Sequence, residues 1–153
     1  MPIENVKNVG FVFDIGEEKI SEAVKYLTDY LVVKKIDYSG LAINLTKNKS
    51  FDFVPDNRIQ VITNKEVSFI GTPNPQLIEK FINEKPDLYI DFCTSHNYTH
   101  DFIARSSRAT FKVGHFNNNN HPFDLAIGSN KAENSPLDYI KQVIHYLTAI
   151  KSA

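Results

Sequence analysis

Residues 8–31, NVGFVFDIGEEKISEAVKYLTDYL, decide the fold class. The first eight form a short continuous apolar run broken only at Asp14, the pattern of a strand covered on both faces, as strands in parallel sheets are. Beyond the turn the period changes. Ile20, Ala23, Val24, Leu27 and Leu31 recur at helical spacing, and Glu17 and Glu18 are expected in the first turn, where acidic groups suit the helix dipole.

The same alternation continues along the chain. LAINL (41–45) reads as a second strand with Gly40 punctuating its start, and residues 46–72 as one or two short strands or packed loops. In NPQLIEKFINEKP (74–86), Asn74 is a cap and Pro75 suits the first helical position. Leu77, Ile78, Phe81 and Ile82 form one face, and Pro86 ends the helix. DLYIDFC (87–93) repeats the doubly buried character of the first strand. A helix then starts near a Thr94 or Ser95 cap, with Tyr98, Phe102, Ile103 and Ser106 on one side. TFKVGHF (110–116) and PFDLAIG (122–128) are strands separated by NNNNH, a gap short enough to predict an antiparallel hairpin. SPLDYIKQVIHYLTAIK (135–151) opens with a Ser135 cap and Pro136 and carries Ile140, Val143, Ile144, Leu147 and Ile150 on a stripe, with His145 opposite. The expectation is a single α/β domain over residues 1–153. It is three-layered and Rossmann-like, with a mostly parallel sheet and an antiparallel edge hairpin.

The 153 residues suffice to bury a sizeable core, and 42% hydrophobic with 23% charged residues is the composition of a globular protein. Seventeen basic against eighteen acidic side chains leave a net charge of -1, so no broad field draws in phosphate backbones or anionic lipid. Neither nucleic acid nor a membrane is expected as a partner. A lone cysteine allows no internal disulfide, the opening MPIENVKNVG lacks the apolar stretch of a signal peptide, and no apolar run is long enough to span a bilayer. The expected location is the cytoplasm.

In open parallel sheets, ligands bind beyond the carboxyl ends of the strands, where strand order reverses. That rule gathers Asp14 to Glu17, Gly71 to Asn74, Asp91 to His96 and Gly114 to Phe116 at one rim. Asp14, Gly16, Asp91, Thr94, Ser95 and His115 are therefore the candidate ligand-binding residues. The helix start at Thr94 and Ser95 offers free amides to a small anion.

DFCTSHNYTH (91–100) holds the denser chemistry. Cys93, His96 and His100 have a spacing that zinc could use, leaving an open coordination position. Cys93 at a strand-to-helix turn, with His96 or His100 as base, is a nucleophile arrangement, although the turn lacks the flanking glycines of a nucleophile elbow. Against both stands the behaviour of a free cysteine as a small buried hydrophobe. Helical phase places His96 and His100 on the flank of their helix. Asp14 and Asp91, at the ends of buried strands, could pair around magnesium. Alternatively, each accepts backbone amides of its own turn. Neither a dinucleotide fingerprint nor a phosphate-binding P-loop occurs, so no cofactor and no resident metal are predicted. Arg105 and Arg108, late on their helix, are expected to bind carbonyls or surface carboxylates.

The run EKPDLYIDFCTSHNYTHDFIARSSRATFKVG, followed by FDLAIG and YIKQVIHYLTAIK, resembles a family of small Bacteroidota proteins labelled only as a domain of unknown function. That resemblance implies no activity. The segments DLYID, IARSSRA and FKVG are also similar to part of the N-terminal domain of heptosyltransferase-type glycosyltransferases, which implies the α/β fold. Two functions stand against each other. One is a non-catalytic domain that binds a small anionic ligand or self-associates as a homodimer. The other is a hydrolase- or transferase-type enzyme using Cys93 with His96 or His100, or a metal at Asp14 and Asp91.

Overall fold

Six strands and four α-helices alternate along the chain in a computed structural model that describes residues 3–45, 57–68, 72–92, 98–115, 122–127 and 135–149. The strands are β1 (Asn8–Asp14), β2 (Asp37–Asn44), β3 (Ile59–Thr63), β4 (Leu88–Asp91), β5 (Phe111–His115) and β6 (Leu125–Ile127). The helices are α1 (Ile20–Val33), α2 (Pro75–Asn83), α3 (Tyr98–Ser106) and α4 (Pro136–Ala149). They build an α/β fold around one all-parallel sheet in the order β3-β2-β1-β4-β5-β6.

The expected antiparallel hairpin is not there: β6 pairs parallel with β5, Val113 opposite Leu125 and His115 opposite Ile127. The reason is reach. Asp124 N donates to the Lys112 carbonyl at 2.8 Å, and its carboxylate accepts from Lys112 N at 2.8 Å, so the returning chain is anchored beside the start of β5. Nine residues separate the two strands in the sequence, and a link of that length can span roughly 30 Å. A crossover that would fail for a long strand is sufficient for one of three residues.

Alternation along each strand sorts the core into two layers. Phe11, Phe13, Ile90, Phe92 and Val113 pack with Leu27 and Leu31 of α1 and Ile140, Val143 and Leu147 of α4. Val12, Leu41, Ile43, Ile62 and Tyr89 pack on the other face with Ile78 and Phe81 of α2 and Ile103 of α3. Phe11, Phe13 and Phe92 form an aromatic group at the centre of the first layer, with ring centroids 6.0–6.4 Å apart. Geometry of this kind adds about 0.5–1.5 kcal/mol per pair to the area buried.

Two of the expected caps form, and the Thr94 or Ser95 cap lies outside the described residues. Asn74 Oδ1 accepts from Gln76 N at 3.0 Å, and Ser135 Oγ accepts from Asp138 N at 3.2 Å. Two boundaries differ. Helix α1 begins at Ile20, after Lys19 in the left-handed region at φ 59°, so Glu17 and Glu18 lie in the preceding turn. Strand β2 begins at Asp37 and therefore contains Gly40, which is there because a Cβ would come within 2.7 Å of the Phe11 ring. Of the ambiguous residues 46–72, the structure describes β3, a 3-10 turn at Asn64–Glu66 and one antiparallel bridge between Val67 and Pro73. Among the described residues, no helix is long and apolar enough to cross a membrane.

Candidate functional site at the carboxyl rim

Strand order reverses between β1 and β4, which are direct neighbours with Val12 opposite Asp91. That reversal point is where an open parallel sheet leaves a crevice. Asp14 and Gly16 leave β1 there, Asp91 ends β4, and His115 ends β5 one strand further on. The expected rim thus exists for the residues the structure describes. Cys93, Thr94, Ser95 and His96 lie outside the described residues.

His100 is the member of the histidine pair that can be followed, and its position departs from the flank assigned by helical phase. It is 2% exposed, and the inward face of α3 is made of Thr99, His100, Ile103 and Ala104, while Tyr98 is 53% exposed. Phasing by apolar residues fails here because the residue opposite α3 on the sheet is itself charged. Nδ1 of His100 lies 3.4 Å from Oδ1 of Asp91, which is 3% exposed. At that length the contact is too long for a tight hydrogen bond. Burial alone would push the His100 pKa down. The adjacent Asp91, with the Asp14 and Glu17 carboxylates behind it, more than offsets that and holds it above the ordinary value.

Asp14 follows the simpler of its two readings: Oδ1 accepts from Gly16 N at 2.8 Å, closing the turn after β1. Its charge still reaches His100. Among the described residues, no group of three or more His, Cys, Asp or Glu is disposed to hold a metal ion.

On the other face of the sheet, His115 is 4% exposed and lies flat on Tyr139 of α4, with centroids 3.8 Å apart and planes 20° apart. Burial drives its pKa down to about 4, with Asp91 opposing weakly, so at neutral pH it carries no charge. Tyr139, 2% exposed, donates its hydroxyl to the Asp91 carbonyl at 2.7 Å and sets its ring edge-on to Phe92.

Asp91 therefore joins two other expected site residues, through its carboxylate to His100 and through its field to His115. Tyr139 escaped notice in the sequence. The available signal was its spacing: Tyr139, Val143 and Leu147 repeat every four residues, so a tyrosine heads the buried stripe of α4 and its hydroxyl must find a partner inside. Arg105 pairs with Asp101 at 2.8 Å on the surface of α3, as expected, and His145 is exposed. The end of α3 is held instead by Lys112, whose Nζ donates to the Ala104 carbonyl at 2.7 Å and whose pKa is lowered by burial.

A cleft of about 460 Å³ opens at the opposite, amino end of the sheet, lined among others by Asn8, Ser39, Arg58, Gln60 and Glu84. It contains none of the paired ionisable groups found at the carboxyl rim. The carboxyl rim is the stronger candidate, because burying an ionisable Asp–His pair costs desolvation energy that a fold has no need to spend.

Neither the curated proteins nor the solved structures contain a match to the chain. A family model described as a family of unknown function (DUF6913) matches residues 2–150, and the chain belongs to that family.

Proposed function

We propose that this protein is a Rossmann-like small-ligand-binding domain whose ligand sits above the carboxyl ends of β1 and β4. The observation that carries the reading is the Asp91–His100 pair, buried at the point of strand-order reversal. A proton on His100 supplies positive charge where an anionic group of a ligand would replace Asp91 as its partner. The Asp14, Glu17 and Asp91 carboxylates that act on the same imidazole disfavour a polyphosphate. The favoured ligand is thus a singly charged, hydroxyl-bearing small molecule. The cytoplasm suits a chain with one free cysteine. Self-association as a homodimer is the companion proposal, with Val32 and Val33 at 61% and 78% exposure on α1 as apolar surface to cover.

Thermal-shift screening tests the binding. Acetate, lactate, gluconate, inorganic phosphate and ATP are each added to the wild type, to Asp91→Asn and to His100→Phe. A ligand at one hundred times its Kd raises the midpoint by roughly 5–10 °C for a domain of this size. The expected result is a rise with the hydroxyl-bearing monoanion that both variants lose. A rise retained in both variants would remove the site from the rim. Light scattering reads the dimer in the same samples.

A second reading has its own support. A carboxylate beside an imidazole is how acid–base histidines are oriented, and Cys93 follows Asp91 by two positions. In that enzyme, His100 would draw the thiol proton and Cys93 would attack. Alkylation of native protein by iodoacetamide separates the readings. A thiol activated by His100 reacts in the folded state, with a rate that falls in His100→Phe, whereas a structural thiol reacts only after unfolding.

A further inference from the structure

The ring nitrogen Nε2 of His115 is shut off from solvent and has no hydrogen-bond partner among the described residues. That is a costly arrangement to keep. A buried polar atom left unmet costs about 1–3 kcal/mol, and such atoms in native proteins call for an explanation. The rest of the residue is firmly held: the ring is stacked on Tyr139, Tyr139 is hydrogen-bonded to Asp91, and Phe92 braces the Tyr139 ring. The stack requires only a flat ring. Phenylalanine would fill it without an orphaned nitrogen, so packing alone does not account for an imidazole here.

We propose that His115 Nε2 is the group that recognises an uncharged hydroxyl of the ligand, while the Asp91–His100 pair faces its charged end. The proposal rests on the rim site described above and adds the chemistry of its second contact. A neutral imidazole can donate to or accept from a hydroxyl but offers no charge to an anion. Because His115 stays uncharged down to about pH 4, that selectivity holds throughout the physiological range. The two histidines are both within the field of Asp91, yet burial and their neighbours shift them in opposite directions, His100 up and His115 down. The orphaned His115 Nε2 on one face of the sheet and the Asp91–His100 contact on the other thus offer a ligand above the strand ends a hydroxyl partner and an ionisable partner.

The test uses the whole protein labelled with 15N-histidine, with ring nitrogens observed directly by NMR. Gluconate (charge and hydroxyls), acetate (charge only) and myo-inositol (hydroxyls only) are the probes. Gluconate should move the resonances of both histidines, acetate those of His100 alone, and inositol those of His115 alone. His115→Phe should weaken gluconate about tenfold and leave acetate unchanged. If the hydroxyl probes move His100 but never His115, the assignment to His115 is overturned while the rim site stands. If no probe moves either histidine at tens of millimolar, both fall. A ligand-free measurement stands beside these. His115→Phe should raise the melting temperature by about 2–4 °C at pH 7, as expected when an unmet polar atom is replaced by an apolar ring of similar shape. A fall of similar size in both His115→Phe and His115→Leu would mean that the imidazole serves the fold, and would also overturn the proposal.

Discussion

Asp91 and Tyr139 are joined by a 2.7 Å hydrogen bond from the tyrosine hydroxyl to the aspartate's own backbone carbonyl, while the Asp91 side chain turns the other way to lie 3.4 Å from His100. One residue at the end of β4 thereby ties down α4 on one face of the sheet and α3 on the other. The two faces meet at the place where strand order reverses, so whatever perturbs Asp91 is felt by both helix layers.

Tyr139→Phe keeps the ring against His115 and Phe92 and removes the hydroxyl alone. The loss leaves a buried carbonyl short of a donor, and urea unfolding should report a destabilisation of about 1–3 kcal/mol. In a double-mutant cycle with His100→Phe, the two changes should couple by at least about 0.5 kcal/mol, because both act on Asp91. Strict additivity would show that the two helices do not communicate through it.

Asp91→Asn should reverse the direction of the His100 shift. Burial lowers the pKa of that imidazole and Asp91 is the principal opposing influence, so without the carboxylate burial prevails and the value should drop below the ordinary 6.5. An NMR titration of His100 reads this directly. Persistence of a raised value would identify Asp14 and Glu17 as the real source.

Stability should depend on pH in opposite senses at the two histidines. His115 has a folded pKa of about 4 against 6.5 when unfolded, so its contribution is complete above pH 6.5 and is lost as pH falls toward 4. At roughly 1.4 kcal/mol per pH unit, the loss amounts to at most about 3.5 kcal/mol, and His115→Phe should abolish it. His100, with its folded pKa raised, contributes stability that is complete below pH 6.5 and is lost as pH rises through the raised value. Guanidinium midpoints from pH 4 to 9 should therefore flatten on the acid side in His115→Phe and on the neutral-to-alkaline side in His100→Phe.

Gly40→Ala should destabilise by about 1–3 kcal/mol, because the new methyl meets the Phe11 ring at 2.7 Å and that ring is itself confined by Phe13, Tyr38 and Phe92. Adding Phe11→Leu should recover part of the loss if the clash is the cause. Denaturant midpoints at constant m-value check both.

How far the sequence carried depended on whether a residue's neighbours were near it in the chain. The strand at 8–14, the capped and proline-started helix at 75–83 and the buried stripe of α4 are local patterns. Periodicity and cap chemistry act within a few residues, so each was legible before any tertiary contact was known. The placement of Asp14, Asp91 and His115 at one rim also followed, since parallel strands all end on the same side. The inward turn of His100 did not, because helical phase was judged from apolar residues and the partner that draws this polar one inside stands nine positions away on a different element. Nor did the direction of β6. A nine-residue link permits either sense, and only the anchoring of Asp124 on Lys112 selects the parallel one. The sequence by itself determined the α/β class, most of the elements and which residues end the parallel strands. Tertiary structure alone decided the strand order, the pairing of Asp91 with His100, the opposite pKa shifts of the two histidines and the stacking of His115 on Tyr139. These depend on burial and on distances between groups far apart in the chain, and local propensity carries no information about either.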